Sequence, residues 1–185
     1  MDLAWIIFLV MLLAAAGLAW LFNGLVKARN LVSAAWSDID VQLQRRHDLV
    51  PRLVKVVKAY ADHEKDTLEA VIAQRDQALR ATSVDEISGL EKSLDASIHQ
   101  LMALAEAYPD LKAGENFAGL SEDLVDIEDH LQYARRFYNG AVRDLNIRVE
   151  RFPDRLIASP FGFGTAAFFQ AESGARGPVD VGAKS

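Results

Sequence analysis

The stretch LVDIEDHLQYARRFYNGAVRDLNIRVERF, residues 124–152, decides the fold class of this chain. Its apolar residues recur at steps of three and four from Leu124 through Tyr138 to Phe152, which is the spacing of one helix face. One additional four-residue step near Tyr138 interrupts a strict heptad, so we expect a long and largely straight helix. Ser121 is the residue type that caps such a helix at its start.

A first amphipathic helix carries apolar residues from Leu25 to Leu43. Asp48 as a cap and Pro51 in the first turn predict that a second helix begins near Leu49, and its apolar spacing continues to about residue 80.

Ser83 followed by Glu86 forms a capping box that predicts the start of a third helix, which ends at Tyr108-Pro109. Residues 109–119 are rich in Gly, Asn and Asp and predict a loop. No stretch alternates with a period of two for long enough to predict a strand. Together the stretches predict an all-α chain: an N-terminal transmembrane helix followed by an antiparallel, up-down-up-down four-helix bundle.

The N-terminal run LAWIIFLVMLLAAAGLAWLF, residues 3–22, contains no charged residue. As a helix it would span about 30 Å, the thickness of the hydrocarbon core of a bilayer. A cleaved signal peptide is the alternative, but no Lys or Arg precedes the run, which is also longer than a typical signal core. We therefore expect an uncleaved anchor. No proline occurs before Pro51, so the anchor is expected to continue into the first bundle helix, with Asn23 and Gly24 as the weak point.

The predicted domains are an anchor over residues 1–23, a helical bundle over residues 24–153, and an aromatic, then Gly/Ala-rich C-terminal tail over residues 154–185. Lys27 and Arg29 follow the anchor, whereas Asp2 is the only charged side chain before it. This asymmetry favours a cytoplasmic bundle.

Composition excludes several classes of function. A formal net charge of -6 and a pI near 5.2 argue against binding to nucleic acid, which requires clustered Lys and Arg. The absence of cysteine excludes disulfides, zinc-thiolate sites and cysteine nucleophiles.

Two similar phrases, FNGLVKARN at residues 22–30 and YNGAVRDLN at residues 138–146, repeat an aromatic-Asn-Gly pattern with a second Asn seven positions later. Glycine in a helix permits close approach of a neighbour, and a buried Asn stripe can fix helix register. Exposed Asn side chains and chance similarity are the alternative. The residues predicted to set packing and register are Asn23, Gly24, Asn30, Asn139, Gly140 and Asn146.

Two further groups are candidate contact sites. Charged residues near the expected turn between the first two helices would form ion pairs across that turn or present a surface to a partner: Asp38, Arg45, Arg46 and Asp48. Four aromatic residues of the tail would enter the membrane interface, or occupy a groove of the bundle or of a neighbouring subunit: Phe161, Phe163, Phe168 and Phe169.

Three segments resemble the LemA family: RNLVSAAWSDIDVQLQRRHDLVPRLVKVVKAYADHE, ARRFYNGAVRDLNIRVERFPDRLIA and FGFGTAAFFQAESGARGPVDV. The resemblance covers nearly the whole chain. It implies a bacterial membrane protein with an N-terminal membrane helix and a helical bundle, no established enzymatic activity, and companionship with other membrane proteins. The basic residues usual in the family's tail are replaced by Gly164-Thr165-Ala166-Ala167, which weakens an electrostatic tether to anionic lipid at that point.

No catalytic, cofactor or metal site is predicted. None of the four histidines has the Glu three positions earlier that a ferritin-like metal site requires, and no phosphate-binding loop or nucleophile elbow occurs. We therefore expect a protein that is not an enzyme: a homo-oligomeric scaffold at the bacterial inner membrane, in contact with membrane lipid. The alternative is a monomeric adaptor that regulates another membrane protein, such as a protease or transporter.

Overall fold

The computed structural model describes residues 3–169, and these residues are mainly helical with no strand among them. The predicted all-α class is therefore confirmed. Residues 1–2 of the predicted anchor and the Gly/Ala-rich end of the predicted tail lie outside the described residues. The helices are α1 (Leu3–Lys58), α2 (Lys65–Ala78), α3 (Val84–Glu106), α4 (Pro109–Lys112), α5 (Glu115–Glu150) and α6 (Arg155–Ala158).

Helix α1 is one continuous element of 56 residues that passes through Asn23 and Gly24 without a break. The prediction that the apolar run continues into the first bundle helix is confirmed. Within α1 lies an apolar segment long enough to cross a membrane, and none of that segment is buried by the rest of the protein. Buried side chains begin at Leu25, so a single helix joins the exposed segment to the core.

The predicted boundary between the first two helices is wrong. No turn follows Asp48, because α1 continues through Pro51 as far as Lys58. The chain reverses later, between Lys58 and Lys65, where Ala61 is buried and its N–H donates to the carbonyl of Val57 at 2.9 Å. The predicted second helix is thus divided between the end of α1 and α2.

The predicted start of the third helix is confirmed. Ser83 is the N-cap of α3, and its hydroxyl accepts a hydrogen bond from the backbone N–H of Glu86 at 3.3 Å. The Glu86 carboxylate reaches back to the N–H of Thr82 at 3.2 Å, one residue before the position that an ideal capping box uses.

The predicted loop over residues 109–119 and the predicted cap at Ser121 are both wrong. Residues 109–112 form the short helix α4, with Pro109 in its first turn, and α5 begins at Glu115 after an extended Gly114. Ser121 lies inside α5, where its hydroxyl donates to the carbonyl of Phe117 at 2.8 Å instead of capping the helix.

Helices α1 and α5 are antiparallel and form the most extensive helix pair. Trp36 packs against Tyr138, and further along both helices Arg46 meets Glu128. Helix α2 packs on α3, and both contact α1 in the half that is distant from the apolar segment. In the other half, residues 155–169 cover α1 and α5, with Phe163 and Phe169 buried. The C-terminal segment therefore occupies the space that α2 and α3 do not reach.

Candidate functional site

A cluster of charged side chains lies inside the helices where α1, α3 and α5 meet. Arg46 and Glu91 are at most 1% exposed, and His47 is 6% exposed. Arg46 Nη2 lies 3.2 Å from Asp95 Oδ1 and also contacts Glu128 Oε2. Arg46 Nη1 lies 3.5 Å from Glu91 Oε2, and His47 Nε2 lies 2.6 Å from Glu91 Oε1.

The arrangement compensates for the burial of charge, which costs several kcal/mol per ion when no partner is present. One guanidinium from α1 serves two carboxylates from α3, those of Glu91 and Asp95, and one from α5. Glu128 also meets a second guanidinium, because Arg135 Nη1 lies 3.7 Å from its other oxygen. The cluster ties three helices together at one level, so the charged groups favour one relative position of these helices.

The cluster corrects one predicted contact site. Arg45, Arg46 and Asp48 do not surround a turn, since α1 is helical throughout this region. Arg46 faces the core and pairs with α3 and α5, whereas Arg45 and Asp48 are exposed. Asp38 is also exposed and lines a groove between α1 and α5 together with Val41.

Pro51 explains a hydrogen bond between α1 and α2 beside the cluster. A proline inside a helix removes the hydrogen bond to the carbonyl four residues earlier, which here belongs to His47. That carbonyl instead accepts a hydrogen bond from Arg75 Nε of α2 at 3.2 Å. The proline therefore does not end α1. The carbonyl of His47, which has no helical donor, instead forms a hydrogen bond that links α1 to α2.

A second polar site holds the C-terminal segment against α5. The side-chain amide of Asn139 donates to the carbonyl of Phe169 and accepts from its N–H, both at 2.9 Å. Asn146 makes the same pair of bonds with Ala166, at 3.0 and 2.8 Å. The Tyr138 hydroxyl donates to the carbonyl of Ala167 at 2.9 Å.

The spacing of the two amides matches the spacing of their partners. Seven residues of helix rise about 10.5 Å, and three residues of extended chain span about 10 Å. Asn139 and Asn146 can therefore each pair with the backbone of one residue, Phe169 and Ala166 respectively, as an adjacent β-strand would. We call this pairing of Asn139 and Asn146 with residues 166–169 the amide clamp.

Burial, and secondarily the negative charge of Asp85, raises the pKa of the Tyr138 phenol above its ordinary value of 10.0. Tyr138 is 3% exposed and packs edge-on against Trp36, with ring centroids 5.4 Å apart. The neutral phenol is therefore the form that the folded protein favours, and it is the form that can donate to the carbonyl of Ala167.

The two sequence phrases have unequal environments. Asn139 and Asn146 bind the backbone of the C-terminal segment, whereas Asn23 and Asn30 are exposed. The register role predicted for the four Asn residues stays a prediction.

The two glycines of the phrases also differ. The guanidinium of Arg148 lies directly over Gly24, and a methyl group added at Gly140 would meet no atom within 4 Å. A neighbour therefore approaches closely at Gly24, and that neighbour is a side chain of α5. The packing role predicted for Gly140 stays a prediction.

The four aromatic residues of the C-terminal segment divide into two pairs. Phe163 and Phe169 are buried, and each receives a guanidinium over its ring, from Arg29 at 4.9 Å and Arg135 at 5.0 Å. Both therefore lie in grooves of their own chain. Phe161 and Phe168 are 64% and 46% exposed, and their contact with lipid or with a second subunit stays a prediction.

The buried cluster lacks the access that catalysis requires. A His-Glu pair can transfer protons, but a substrate could reach His47 or Glu91 only if the helices separated. Among residues 3–169, no group of three or more His, Asp or Glu side chains is placed to hold a metal ion. The geometry favours a structural role for the cluster.

Sequence reasoning overlooked Glu91, although a signal was present. Glu91 stands between Ile87 and Leu94 on the apolar face of α3, at steps of four and three. Arg46 stands in the same way between Leu43 and Val50 on α1. A charged residue on an apolar stripe indicates that the residue is buried with a partner. Two such residues of opposite charge on different helices are therefore predicted to pair with each other.

Known proteins similar to this chain include magnetosome and LemA proteins. Magnetosome protein MamQ 2 of Paramagnetospirillum magneticum is 24% identical over 85% of this chain and 68% of its own length. Magnetosome protein MamQ of Magnetospirillum gryphiswaldense is 21% identical over the same shares of the two chains. Protein LemA of Metamycoplasma hominis is 27% identical over 86% of this chain and 73% of its own length. None of these names is that of an enzyme.

A family model described as LemA family matches residues 35–182. The match includes the buried cluster, the amide clamp and all four aromatic residues of the C-terminal segment. The chain belongs to the LemA family.

Proposed function

We propose that this protein is a single-pass protein of the bacterial inner membrane that acts without catalysis, as an oligomeric scaffold. The observation that carries the proposal is the continuity of α1, in which a fully exposed apolar segment and the core-forming residues from Leu25 onward belong to one helix. Such a helix transmits the position of the anchor rigidly to the helical domain, as a scaffold requires.

The proposal includes the predicted topology: α1, α2, α3 and α5 form an antiparallel four-helix bundle, with domain limits at residues 1–23, 24–153 and 154–185. The antiparallel pairing of α1 with α5 and the packing of α2 on α3 support it. The bundle faces the cytoplasm in this proposal, since Lys27 and Arg29 directly follow the apolar segment.

An exposed apolar surface supports lateral association. Val41, Tyr133 and Phe137 line the groove between α1 and α5 that Asp38 borders, and they are 55%, 69% and 53% exposed. Three adjacent apolar side chains exposed to this degree are typical of a surface that another protein covers.

The mass of the full-length protein in mild detergent tests the proposal. A discrete complex of several subunits supports the scaffold, and Phe137→Gln is expected to shift that complex towards monomer. Leu79→Gln is the matched control, because Leu79 is 47% exposed and directly follows the end of α2, away from the groove. A monomeric wild-type protein would contradict the scaffold and favour the alternative, an adaptor that binds another membrane protein.

The register prediction has its own test. Replacement of both Asn139 and Asn146 by Leu is expected to abolish a defined assembly, while replacement of the exposed Asn23 and Asn30 by Leu preserves it. Unchanged mass and unchanged thermal stability of the Asn139/Asn146 variant would refute the register role.

A further inference from the structure

The segment that follows α5 exposes three apolar side chains. Phe152, Leu156 and Phe161 are 79%, 65% and 64% exposed, whereas Ile157 and Ala158 of the same segment are buried against α1 near Leu25. The segment is therefore packed on one side and bare on the other. We call the three exposed side chains the apolar edge.

Phe161 of the apolar edge lies beside the end of the apolar segment of α1. The ring of Phe161 packs edge-on against Phe22 with centroids 5.2 Å apart, and Phe161 lines a groove together with Leu18 and Ala19. If the apolar segment crosses a bilayer, as the proposed function requires, its end near Phe22 lies at the level of the lipid headgroups. Phe161 is then at that level too.

The sequence around the apolar edge has a net positive charge, whereas the whole chain has a net negative charge. Residues 22–30 and 143–163 contain six basic and three acidic residues, although the formal net charge of the chain is -6. Two of the acidic side chains are already paired, Asp144 with Arg143 at 3.7 Å and Asp154 with Arg151 at 2.8 Å.

Four basic side chains in these ranges form no ion pair within the part of the chain that the structure describes: Lys27, Arg29, Arg148 and Arg155. The guanidinium of Arg29 lies over the ring of Phe163, so Lys27, Arg148 and Arg155 are the ones left to meet another anion. Arg155 and Leu156 are neighbours on α6, so an exposed cation stands beside an exposed apolar side chain. Exposed apolar groups flanked by unpaired basic groups are typical of a surface that lies in the interface of an anionic bilayer.

We propose that the apolar edge inserts into the headgroup region of the membrane and that Arg155, with Lys27 and Arg148, binds anionic phospholipid headgroups there. The occupant is lipid rather than a second subunit because the surface is continuous with the exposed apolar segment, which a bilayer already surrounds. The helical domain then has two points of membrane contact, the anchor in α1 and the end of α5 and α6, and these fix its tilt.

Single cysteine labels test the insertion, because the chain contains no cysteine. An environment-sensitive fluorophore is attached at Leu156→Cys, at Leu12→Cys within the apolar segment, and at Val125→Cys, an exposed apolar position towards the other end of α5. The full-length proteins are placed in nanodiscs that contain phosphatidylcholine and phosphatidylglycerol, with a lipid-bound quencher. We expect strong quenching at positions 12 and 156 and none at position 125.

The outcomes separate this inference from the proposed function. Quenching at position 12 without quenching at position 156 overturns the inference alone, and absence of quenching at both positions overturns the membrane anchor as well. Self-quenching at position 156 that disappears on dilution with unlabelled protein identifies a second subunit as the occupant and also overturns the inference.

The preference for anionic lipid has a separate test. Arg155→Gln is expected to reduce the gain in quenching that phosphatidylglycerol gives over phosphatidylcholine alone, whereas Arg143→Gln, which removes a cation already paired with Asp144, leaves the gain unchanged. Loss of one basic residue near an anionic surface is expected to weaken this contact about fivefold. Equal quenching in the two lipid compositions would overturn the electrostatic part of the proposal.

Discussion

At the scale of single residues, Arg46 shows how a charge comes to lie in a helical core. It stands on the apolar stripe of α1, so packing of α1 on α3 and α5 must bury it. Carboxylates from both neighbouring helices meet it, those of Asp95 and Glu91 from α3 and that of Glu128 from α5. A helix that slid along α1 by one turn would separate these charges inside a medium of low dielectric constant, so the cluster penalises that shift.

Arg46→Met is expected to lower the free energy of unfolding by about 3–5 kcal/mol, because it leaves Glu91 buried without its cation. Arg45→Met is the matched control, since Arg45 is exposed and donates a hydrogen bond to Gln42 one turn away. Its effect should stay within about 0.5 kcal/mol. Chemical denaturation in mild detergent measures both. The double variant Arg46→Met, Glu91→Met should recover part of the loss, and equal effects of the two single variants would refute the role of the cluster.

Ionisation of Tyr138 is expected to lower the stability of the folded protein at alkaline pH. Burial raises its pKa, so the folded state holds the phenolic proton more strongly than the unfolded state does. The contribution to stability is complete below the ordinary pKa of 10.0 and is lost as pH rises through the higher pKa of the folded state.

Unfolding free energies of the wild type and of Tyr138→Phe, compared at about pH 8 and about pH 11, measure this effect. The wild type should lose more stability than the variant over this interval, because a phenolate cannot donate to the carbonyl of Ala167. Identical losses would show that the pKa of Tyr138 is the same in the folded and unfolded states, and would refute the effect of burial.

At the scale of elements, Pro51 separates what local sequence predicts from what packing decides. Asp48 and Pro51 are good start signals for a helix, yet α1 continues past them. The local signal predicted a boundary because a proline costs a helix one hydrogen bond. Only the fold shows that Arg75, 28 residues away, restores the lost bond to the carbonyl of His47.

Removal of Arg75 is therefore expected to matter only while Pro51 is present. Arg75→Met should cost about 1–3 kcal/mol in the wild type, because the carbonyl of His47 loses its donor. In a Pro51→Ala background the N–H of residue 51 can bond to that carbonyl, so the same substitution should cost much less. Denaturation of the four proteins gives the coupling energy, and the contact of Arg75 with Asp76 cancels between the two backgrounds.

An absence of coupling in this cycle would mean that water or another group satisfies the carbonyl of His47. In that case packing of buried neighbours such as Leu49 and Leu53 would alone explain why α1 continues through Pro51.

The sequence predicted the fold class and the presence of the helices better than it predicted where each helix begins and ends. Apolar periodicity identified α3 and α5, and the side chain of Ser83 caps α3 as its sequence context indicates. The break between Lys58 and Lys65 carries no Gly or Pro, and the apolar spacing continues through it. The turn returns α2 to α1, which places Leu68 and Val71 of α2 in the same buried cluster as Val57 and Ala61.

The amide clamp could be predicted in part. The sequence predicted packing contacts for Asn139 and Asn146, but the partners of these half-buried side chains are backbone groups of an extended segment, which leave no side-chain signature in the sequence. Side-chain periodicity predicts helix packing and says little about an extended segment that binds through its N–H and C=O groups.

At the scale of the whole molecule, one helix joins the exposed apolar segment to the helical core. The part of α1 before Leu21 is free of contacts with the buried clusters, and packing begins with Leu21 and Phe22. A rotation of the anchor about its axis is therefore passed on to the helical domain without a hinge. In the proposed scaffold, this rigidity lets contacts between anchors and contacts between domains select the same arrangement of subunits.

Insertion of four residues between Trp20 and Leu21 tests this coupling. Gly-Ser-Gly-Ser weakens the helix, whereas Ala-Ala-Ala-Ala keeps it and rotates the anchor by about 40° relative to the domain, at 3.6 residues per turn. Both insertions precede the packed residues, so the unfolding free energy of the domain should change by less than about 0.5 kcal/mol in either case. If assembly depends on rigid coupling, the mass in mild detergent should fall to that of a monomer with the flexible insertion and remain that of a complex with the alanine insertion. Complexes of equal mass with both insertions would show that the domains assemble independently of the direction in which the anchor leaves the membrane.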